Sequence, residues 1–320
     1  MLLSIACEVP VPLRVFVAGA TGVVGRHLLP MLAERGHHVT ALVNGEPRFS
    51  SGADTLLSAD LFDFPGLRHA LRVAAPDTVL QLSGPDGADT EEALWHTARL
   101  REQGTRNLLA AAAEVGVRRV VVRSSATAYA PRGHEVADEQ ADLFTTAPGN
   151  WGEACRAVEE MERVLLQEPE IEGVALRFGE LYGADTPFAE SGDVYRLVRG
   201  SALPLVETGG GVTSFTHVED AAAAVLEALH DVEPAAYNVV DNEPAESGEW
   251  LPAYARMIGG PEPVSLTLEQ ANQQLDWATV HRLTEQRGAS NFRFREVSGW
   301  RPRWPSWREG LTNLFGFWPV

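Results

Sequence analysis

The stretch Leu13-Arg-Val-Phe-Val-Ala-Gly-Ala-Thr-Gly-Val-Val-Gly25 decides the fold of this chain. Its first residues form a short apolar run typical of a buried strand, and the periodicity that follows predicts a helix from Val23 to Glu34. The glycines at positions 19, 22 and 25 permit a tight turn, close approach of the backbone to a pyrophosphate, and close packing of helix on strand. Because this triplet lies between a strand and a helix, it predicts a dinucleotide-binding loop.

Apolar strands and amphipathic helices alternate from this loop to about Gly183, and after Gly183 the alternation gives way to loops and shorter elements. This pattern predicts an α/β fold, a Rossmann-type doubly wound parallel sheet with a smaller C-terminal substrate lobe. We expect residues 13–183 to form mainly the dinucleotide-binding domain and residues 184–320 mainly the substrate-binding lobe. Some strands and helices of the second part are expected to return to the Rossmann core.

The composition excludes several classes of function. The net charge of −18 disfavours nucleic acid and anionic membrane surfaces as partners. The two cysteines, Cys7 and Cys155, show neither a disulfide framework nor metal-ligand spacing, so no metal is predicted. No signal peptide or run of about 20 apolar residues is evident. We therefore predict a cytoplasmic monomer or homodimer that acts on a small molecule.

The residues after the second predicted strand bear on the choice of cofactor. An acidic side chain about 20 residues after the glycines would favour NAD, because it binds the ribose hydroxyls. Here Asn44 is neutral, Glu46 lies in a predicted turn, and Arg26 and Arg48 are candidate partners for a 2′-phosphate. The alternative is that both arginines are ordinary solvated charges. The pattern favours NADP(H) over NAD(H).

Further motifs follow in order between about Leu13 and Leu311, and together they resemble the extended and atypical short-chain dehydrogenases/reductases, the NAD-dependent epimerase/dehydratase-like family. The motifs are Asp60-Leu61, Gln81-Leu-Ser-Gly84, Gly104-Thr-Arg-Asn-Leu-Leu109, Ser124-Ser-Ala-Thr-Ala-Tyr129, Leu176-Arg-Phe-Gly-Glu-Leu-Tyr-Gly183, Phe215-Thr-His-Val-Glu-Asp220, Tyr237-Asn-Val239 and Gly299-Trp-Arg-Pro302.

The resemblance implies roles for individual residues. Ser125 matches the family's catalytic serine, which hydrogen-bonds the substrate oxygen. His217, Asp220 and Arg177 are expected to brace the structure, and Tyr182 either does the same or reaches the cofactor pocket. The residues expected to contact the cofactor are Gly19, Ala20, Thr21, Gly22, Val23, Val24 and Gly25 at the pyrophosphate, Asn44, Arg48, Asp60 and Leu61 at the adenosine, and Leu82, Ser83, Gly84, Ser124, Phe178 and Leu181 towards the nicotinamide.

The chain departs from this family at its Tyr-x-x-x-Lys motif. The sequence there is Asn150-Trp-Gly-Glu-Ala-Cys-Arg156, which puts Trp151 in the tyrosine place and Cys155 in the lysine place. All 26 basic residues are arginine, so no lysine elsewhere can replace the missing one. Cys155 is expected to be a packed residue, although a free thiol ionises near pH ~8.5. The proton for a reduction must then come from Ser125, Tyr129, Thr127, water or the substrate.

The resemblance and the missing pair favour an NAD(P)H-dependent ketoreductase. Its substrate would be a ketone on a bulky natural product of antibiotic biosynthesis, such as an aromatic polyketide, reduced mainly by hydride positioning. Two alternatives stay open. One is a redox-neutral epimerase, dehydratase or cyclase on the same scaffold, and the other is a non-catalytic NADP-binding regulator.

Overall fold

The computed structural model describes residues 11–43, 52–84, 91–131, 136–230 and 232–316. The elements of the first part are β1 (Arg14–Ala18), α1 (Val23–Glu34), β2 (His38–Val43), β3 (Thr55–Ser58), α2 (Phe64–Ala74), β4 (Thr78–Gln81), α3 (Glu91–Arg99), α4 (Thr105–Glu114), β5 (Arg119–Ser125), α5 (Gly149–Gln167), β6 (Glu172–Phe178) and β7 (Glu180–Tyr182).

The remaining elements are shorter on average. They are α6 (Asp193–Arg199), β8 (Leu205–Val206), β9 (Val212–Thr213), β10 (Phe215–His217), α7 (Val218–Glu227), β11 (Ala235–Val239), β12 (Ala245–Glu246), α8 (Ser247–Met257), β13 (Ser265–Leu266), α9 (Leu268–Gln274), α10 (Trp277–Thr284), α11 (Phe292–Ser298) and α12 (Trp307–Phe315).

Seven strands form one parallel sheet in the order β11-β6-β5-β4-β1-β2-β3. The chain builds outward from β1 through β2 to β3, and then crosses to β4 on the other side of β1. Ligands of doubly wound sheets bind beyond the carboxyl ends of the strands where this reversal occurs. The predicted Rossmann-type α/β fold is confirmed, and the site is expected at the carboxyl ends of β1 and β4.

The central strands are buried on both faces, as parallel strands covered by helices must be. In β1 the side chains of Val15 and Val17 join one core cluster, and those of Phe16 and Ala18 join the other. Helices α1 and α7 pack on the first face, and α2, α4 and α5 lie on the second. This packing fixes where the glycine loop, which joins β1 to α1, leaves the sheet.

The sequence pattern from Glu91 to Glu114 predicts a single helix, and the structure differs from this in one respect. A π-helical segment, Leu100–Gly104, separates α3 from α4. Gly104 lies in a tight space there, since an added Cβ would lie 3.2 Å from Leu100 Cδ1 and 3.4 Å from Leu61 Cβ. Such π-helical turns are frequent at functional sites, and this one carries Arg101 to the edge of the cleft described below.

The lobe has its own aromatic core, built around Tyr182, Phe188, Phe215, Trp250 and Trp307. Its separation from the sheet is incomplete, because β11 pairs with β6 and α7 packs on α1. The division at residues 183 and 184 therefore stays a prediction. None of the helices within the described ranges has the length and apolar character that a bilayer crossing requires.

Candidate active site

The glycine loop is shaped to receive a dinucleotide. Gly19 has a φ of +86°, and an added Cβ there would lie 2.4 Å from the backbone nitrogen of Ser83. An added Cβ on Gly25 would lie 2.3 Å from the carbonyl oxygen of Gly19. Gly22 is the N-cap of α1 and provides no side-chain cap, so the first turn of α1 is open to a pyrophosphate. The residues of this loop fit the cofactor that the sequence predicts.

The adenosine end of the predicted site is described only in part. Asp60 Oδ1 accepts a hydrogen bond of 2.8 Å from the backbone N–H of Phe62, and Asn107 Nδ2 donates one of 2.8 Å to the carbonyl oxygen of Leu61. Asn44 and Arg48, like Glu46, lie outside the described residues. Arg26 forms an ion pair of 3.0 Å with Asp185 at the surface, so its guanidinium is already engaged. That pairing argues against Arg26 as a reader of the 2′-phosphate.

A cleft of about 240 Å³ brings several predicted residues together. It lies past the carboxyl ends of β5 and β6 and continues into the lobe. Among the residues lining it are Val23, Ser124, Ser125, Thr127, Phe178 and Leu181, which the sequence analysis singled out, together with Trp151, Cys155, Arg101, Arg123 and Arg282.

The two serines at the end of β5 take different roles. Ser125 Oγ lies 2.8 Å from Thr127 Oγ1, and the backbone N–H of Thr127 donates to Ser125 Oγ at 3.4 Å. The Ser124 hydroxyl donates a hydrogen bond of 2.5 Å to the buried Glu162. Successive side chains of a strand point to opposite faces, which explains this divergence. The hydroxyl pair of Ser125 and Thr127 is therefore the polar centre of the cleft, and Ser124 is anchored to α5.

Tyr129 does not lie where the prediction of a proton donor requires. Its side chain is 1% exposed and does not line the cleft. The hydroxyl donates to Asn238 Oδ1 at 2.7 Å and accepts from Arg177 at 2.7 Å. Burial raises the pKa of Tyr129 to about 12, although Arg177 and Asn238 act in the opposite direction. The structure corrects the prediction, since Tyr129 is part of a buried hydrogen-bond network.

Trp151 and Cys155 lie on α5, and both side chains line the cleft. Cys155 is 2% exposed, and burial raises the pKa of its thiol to about 12 despite the opposing charges of Arg101 and Arg156. The thiol is therefore protonated at neutral pH. Trp151 packs edge-on to His281, with ring centroids 6.0 Å apart, and so connects α5 to the lobe. Neither side chain provides an ionisable acid near neutral pH.

Three arginines in the cleft were missed by sequence reasoning. Arg123 could have been noticed, because it interrupts the run of valines in β5 just before the two serines. Its guanidinium lies against Gly84, 3.1 Å from where a Cβ would be. Arg101 and Arg282 could not be predicted, because each lies in a helical stretch, where a charged side chain ordinarily faces the solvent. All three also interact with other residues of the chain.

The bracing residues lie as the sequence analysis expected. His217 is the N-cap of α7, where its ring accepts a hydrogen bond from the backbone N–H of Glu219. The Asp220 carboxylate accepts hydrogen bonds from the backbone N–H groups of Arg303 and Trp304, at 2.7 and 3.0 Å. These contacts tie the C-terminal segment to α7 and leave both side chains outside the cleft.

The sequence profile of the NAD dependent epimerase/dehydratase family matches residues 15–240. This chain belongs to that family. The family binds a nicotinamide dinucleotide, which agrees with the shape of the glycine loop. The Thermus thermophilus UDP-glucose 4-epimerase, solved in complex with NAD, has a TM-score of 0.71 at 24% identity, over 94% of this chain and 97% of the epimerase, and shows the fold alone.

Two relatives with similar sequences are reductases. One from a Streptomyces species, named 3-diazoavenalumate denitrifying reductase, is 44% identical over 303 residues, which cover 93% of this chain and 99% of the relative. The 2′-dehydrokanamycin reductase of Streptomyces kanamyceticus is 28% identical and covers 82% of this chain and 72% of the relative. This member of the epimerase/dehydratase family is an oxidoreductase.

Proposed function

We propose that this oxidoreductase is a denitrifying reductase, which replaces the diazo group of a small aromatic carboxylate with hydrogen. The observation that carries the proposal is that the two cleft positions of the family's acid–base pair hold Trp151 and Cys155. Both side chains line the cleft where the family resemblance places tyrosine and lysine, and the chain contains no lysine. The Streptomyces relative supports the proposal, because its name describes reduction of a diazo-bearing anion and its similarity covers nearly the whole chain.

The chemistry of such a substrate suits this cleft. When bound, the dinucleotide supplies a hydride that takes the place of N₂ on an aromatic diazonium carbon, so that the arene, N₂ and the oxidised cofactor are formed and no proton is consumed. Reduction of a ketone requires a proton in addition, and general acid catalysis typically contributes about 10²–10⁴-fold. Trp151 and Cys155 offer no ionisable acid near neutral pH, and on a diazonium substrate this does not slow the hydride step.

The chain's own residues bind and orient the two reactants. The backbone from Gly19 to Gly25 would hold the pyrophosphate, and Phe178 and Leu181 would pack beside the nicotinamide. Ser125 and Thr127 would hold an oxygen of the substrate ring. We also propose NADPH as the preferred cofactor, which is supported by the neutral Asn44 and the basic Arg48 after β2.

A ketone substrate is the second candidate. It is favoured by the Ser125–Thr127 hydroxyl pair, which resembles a carbonyl-orienting site, and by the similarity to the 2′-dehydrokanamycin reductase. The cleft volume of about 240 Å³ is below the ~300–1,000 Å³ typical of pockets for drug-sized ligands, which favours a small acid over a bulky polyketide.

The test is to incubate the protein with NADPH or NADH and a chemically diazotised aminohydroxybenzoate carrying an isotopic nitrogen label. We expect NADPH to be oxidised in a one-to-one ratio with labelled N₂, and faster than NADH, with deuterium from labelled NADPH found on the ring carbon. Reactions without protein give the background rate.

Alcohol formation from ketones without N₂ release would establish the ketoreductase instead. Product formation without deuterium transfer would indicate redox-neutral chemistry, and binding of NADPH without turnover would indicate a regulator.

Replacement of Ser125 by alanine is expected to lower kcat/KM at least ~10-fold, because the cleft then loses the hydroxyl that orients the substrate oxygen. The matched control is Ser298→Ala, whose hydroxyl donates within α11 to the carbonyl oxygen of Phe294 and does not line the cleft. Steady-state rates of the two variants and the wild type provide the comparison. Equal rates for Ser125→Ala and the wild type would remove Ser125 from the mechanism.

A further inference from the structure

A second, smaller chamber of about 80 Å³ lies in the lobe beside the cleft. It is enclosed by α6, α8 and α10, and its walls include the apolar side chains of Phe188, Leu203, Trp250 and Leu283. Two aliphatic and two charged residues line both the chamber and the cleft. These shared residues, Glu180, Val194, Leu197 and Arg282, lie where the two spaces adjoin.

Two residues that line the chamber carry a buried side-chain polar atom whose hydrogen-bonding capacity is unmet among the described residues. Trp250 and Gln286 both line it and are only 6% and 4% exposed. Within the described residues, Trp250 Nε1 and Gln286 Oε1 have no hydrogen-bond partner. A buried polar atom without a partner destabilises the fold, so native structures usually satisfy it with a water or a ligand. Apolar walls with a few polar groups are typical of a ligand site.

Arg282 determines what kind of ligand end the chamber fits. Within the described residues it is the one arginine that lines both spaces, because Arg101 and Arg123 line the cleft alone. A guanidinium binds a carboxylate through two parallel hydrogen bonds, which gives both affinity and direction. The chamber volume of about 80 Å³ suits a group of a few heavy atoms, since one water occupies ~30 Å³ in the liquid.

We infer that the chamber is the specificity subsite for the distal, carboxylate-bearing end of the substrate, with Arg282 at its entrance as the residue that binds the carboxylate. The aromatic ring would lie in the cleft beside Ser125, and a short apolar tail would pass Val194 and Leu197. The inference rests on the proposed function for its choice of an aromatic acid. Its test, however, requires no turnover.

The experiment measures binding of benzoate, 3-phenylpropionate and 5-phenylpentanoate, and of their methyl esters, to the protein saturated with NADP⁺ by calorimetry. We expect affinity to rise with tail length, and the longest acid to bind at least ~10-fold more tightly than its ester. Arg282→Gln should remove this preference for the acid and leave ester binding within about two-fold. The matched control is Arg256→Gln, which removes a charge from an exposed pair with Glu262.

A second variant guards against a general effect on folding. Val194→Trp should narrow the space between the cleft and the chamber and weaken the binding of 5-phenylpentanoate. Benzoate, which stays in the cleft, should bind as it does to the wild type. The inference is overturned if the wild type binds acids no better than esters, if Arg282→Gln weakens both alike, or if Val194→Trp affects all tail lengths equally. Acid-selective binding in a protein that reduces no diazo compound would retain the subsite and reject the proposed function.

Discussion

Replacement of Arg177 by methionine is expected to lower the free energy of unfolding by about 3–5 kcal/mol, because it leaves a buried carboxylate without its counter-charge. The Arg177 guanidinium donates two hydrogen bonds to Glu162, at 2.6 and 2.9 Å, and both side chains are 7% exposed. Among the described residues, the hydrogen bond from Ser124 is the one that the Glu162 carboxylate would retain in the variant. Tyr129 would lose a donor at the same time.

The measurement is equilibrium unfolding in urea, with Arg163→Met as the matched control. Arg163 also pairs with a glutamate on its own helix, Glu160, but both are partly solvent-exposed, so this variant should lose less than about 1 kcal/mol. The double variant Glu162→Gln with Arg177→Met should recover much of the loss, since no unpaired charge then stays buried. A cost below 1 kcal/mol for Arg177→Met would contradict this account of the pair.

The same ion pair positions the polar centre of the cleft. Glu162 lies on α5, Arg177 on β6 and Ser124 on β5, so the network joins three elements at the point where Ser125 enters the cleft. The sequence analysis expected Arg177 to be structural. It did not find Glu162, because a glutamate on an amphipathic helix ordinarily belongs to the solvated face.

The sequence could predict what depends on local pattern. The glycine loop was recognisable because its spacing and its place between a strand and a helix are both local, and the parallel, doubly wound sheet followed from the alternation of strands and helices. The role of Tyr129 was not predictable in this way. Its position four residues after Ser125 suggested the active site, but its partner Asn238 lies 109 residues further along the chain. Only the pairing of β11 with β6 brings that side chain to it.

Arg282 is a second residue whose position could not be predicted from local sequence. It lies far along the chain from Ser125, on a helix whose pattern gave no hint of a site, yet both line one cleft. The lobe places it there through the packing of α10 against α5, in which the ring of Trp151 contacts that of His281. The residue proposed to select the substrate therefore reaches the cleft through tertiary packing, whereas the residues expected to bind the cofactor were recognisable from local sequence.

The glycine loop supports the second large prediction, that Gly19→Ala weakens NADPH binding at least ~100-fold. The added methyl group would lie 2.4 Å from the nitrogen of Ser83 and 2.6 Å from the carbonyl carbon of Leu82. Both are backbone atoms, so relief requires that the segment after β4 move. That segment is the one expected to line the cofactor, and its displacement changes the space the dinucleotide enters.

A control variant separates this clash from the ordinary cost of a left-handed residue. Gly36 ends the first helix with a φ of +76°, close to the +86° of Gly19, but an added Cβ there meets nothing within 4 Å. Like Gly19→Ala, Gly36→Ala should therefore lower the free energy of unfolding by about 1 kcal/mol, but it should keep the wild-type affinity for NADPH. Fluorescence titration with NADPH and urea unfolding of both variants give the two quantities. If Gly19→Ala binds NADPH as the wild type does, the close approach of the loop to Ser83 does not shape the cofactor site. Equal losses of NADPH affinity in both variants would instead point to helix stability as the cause.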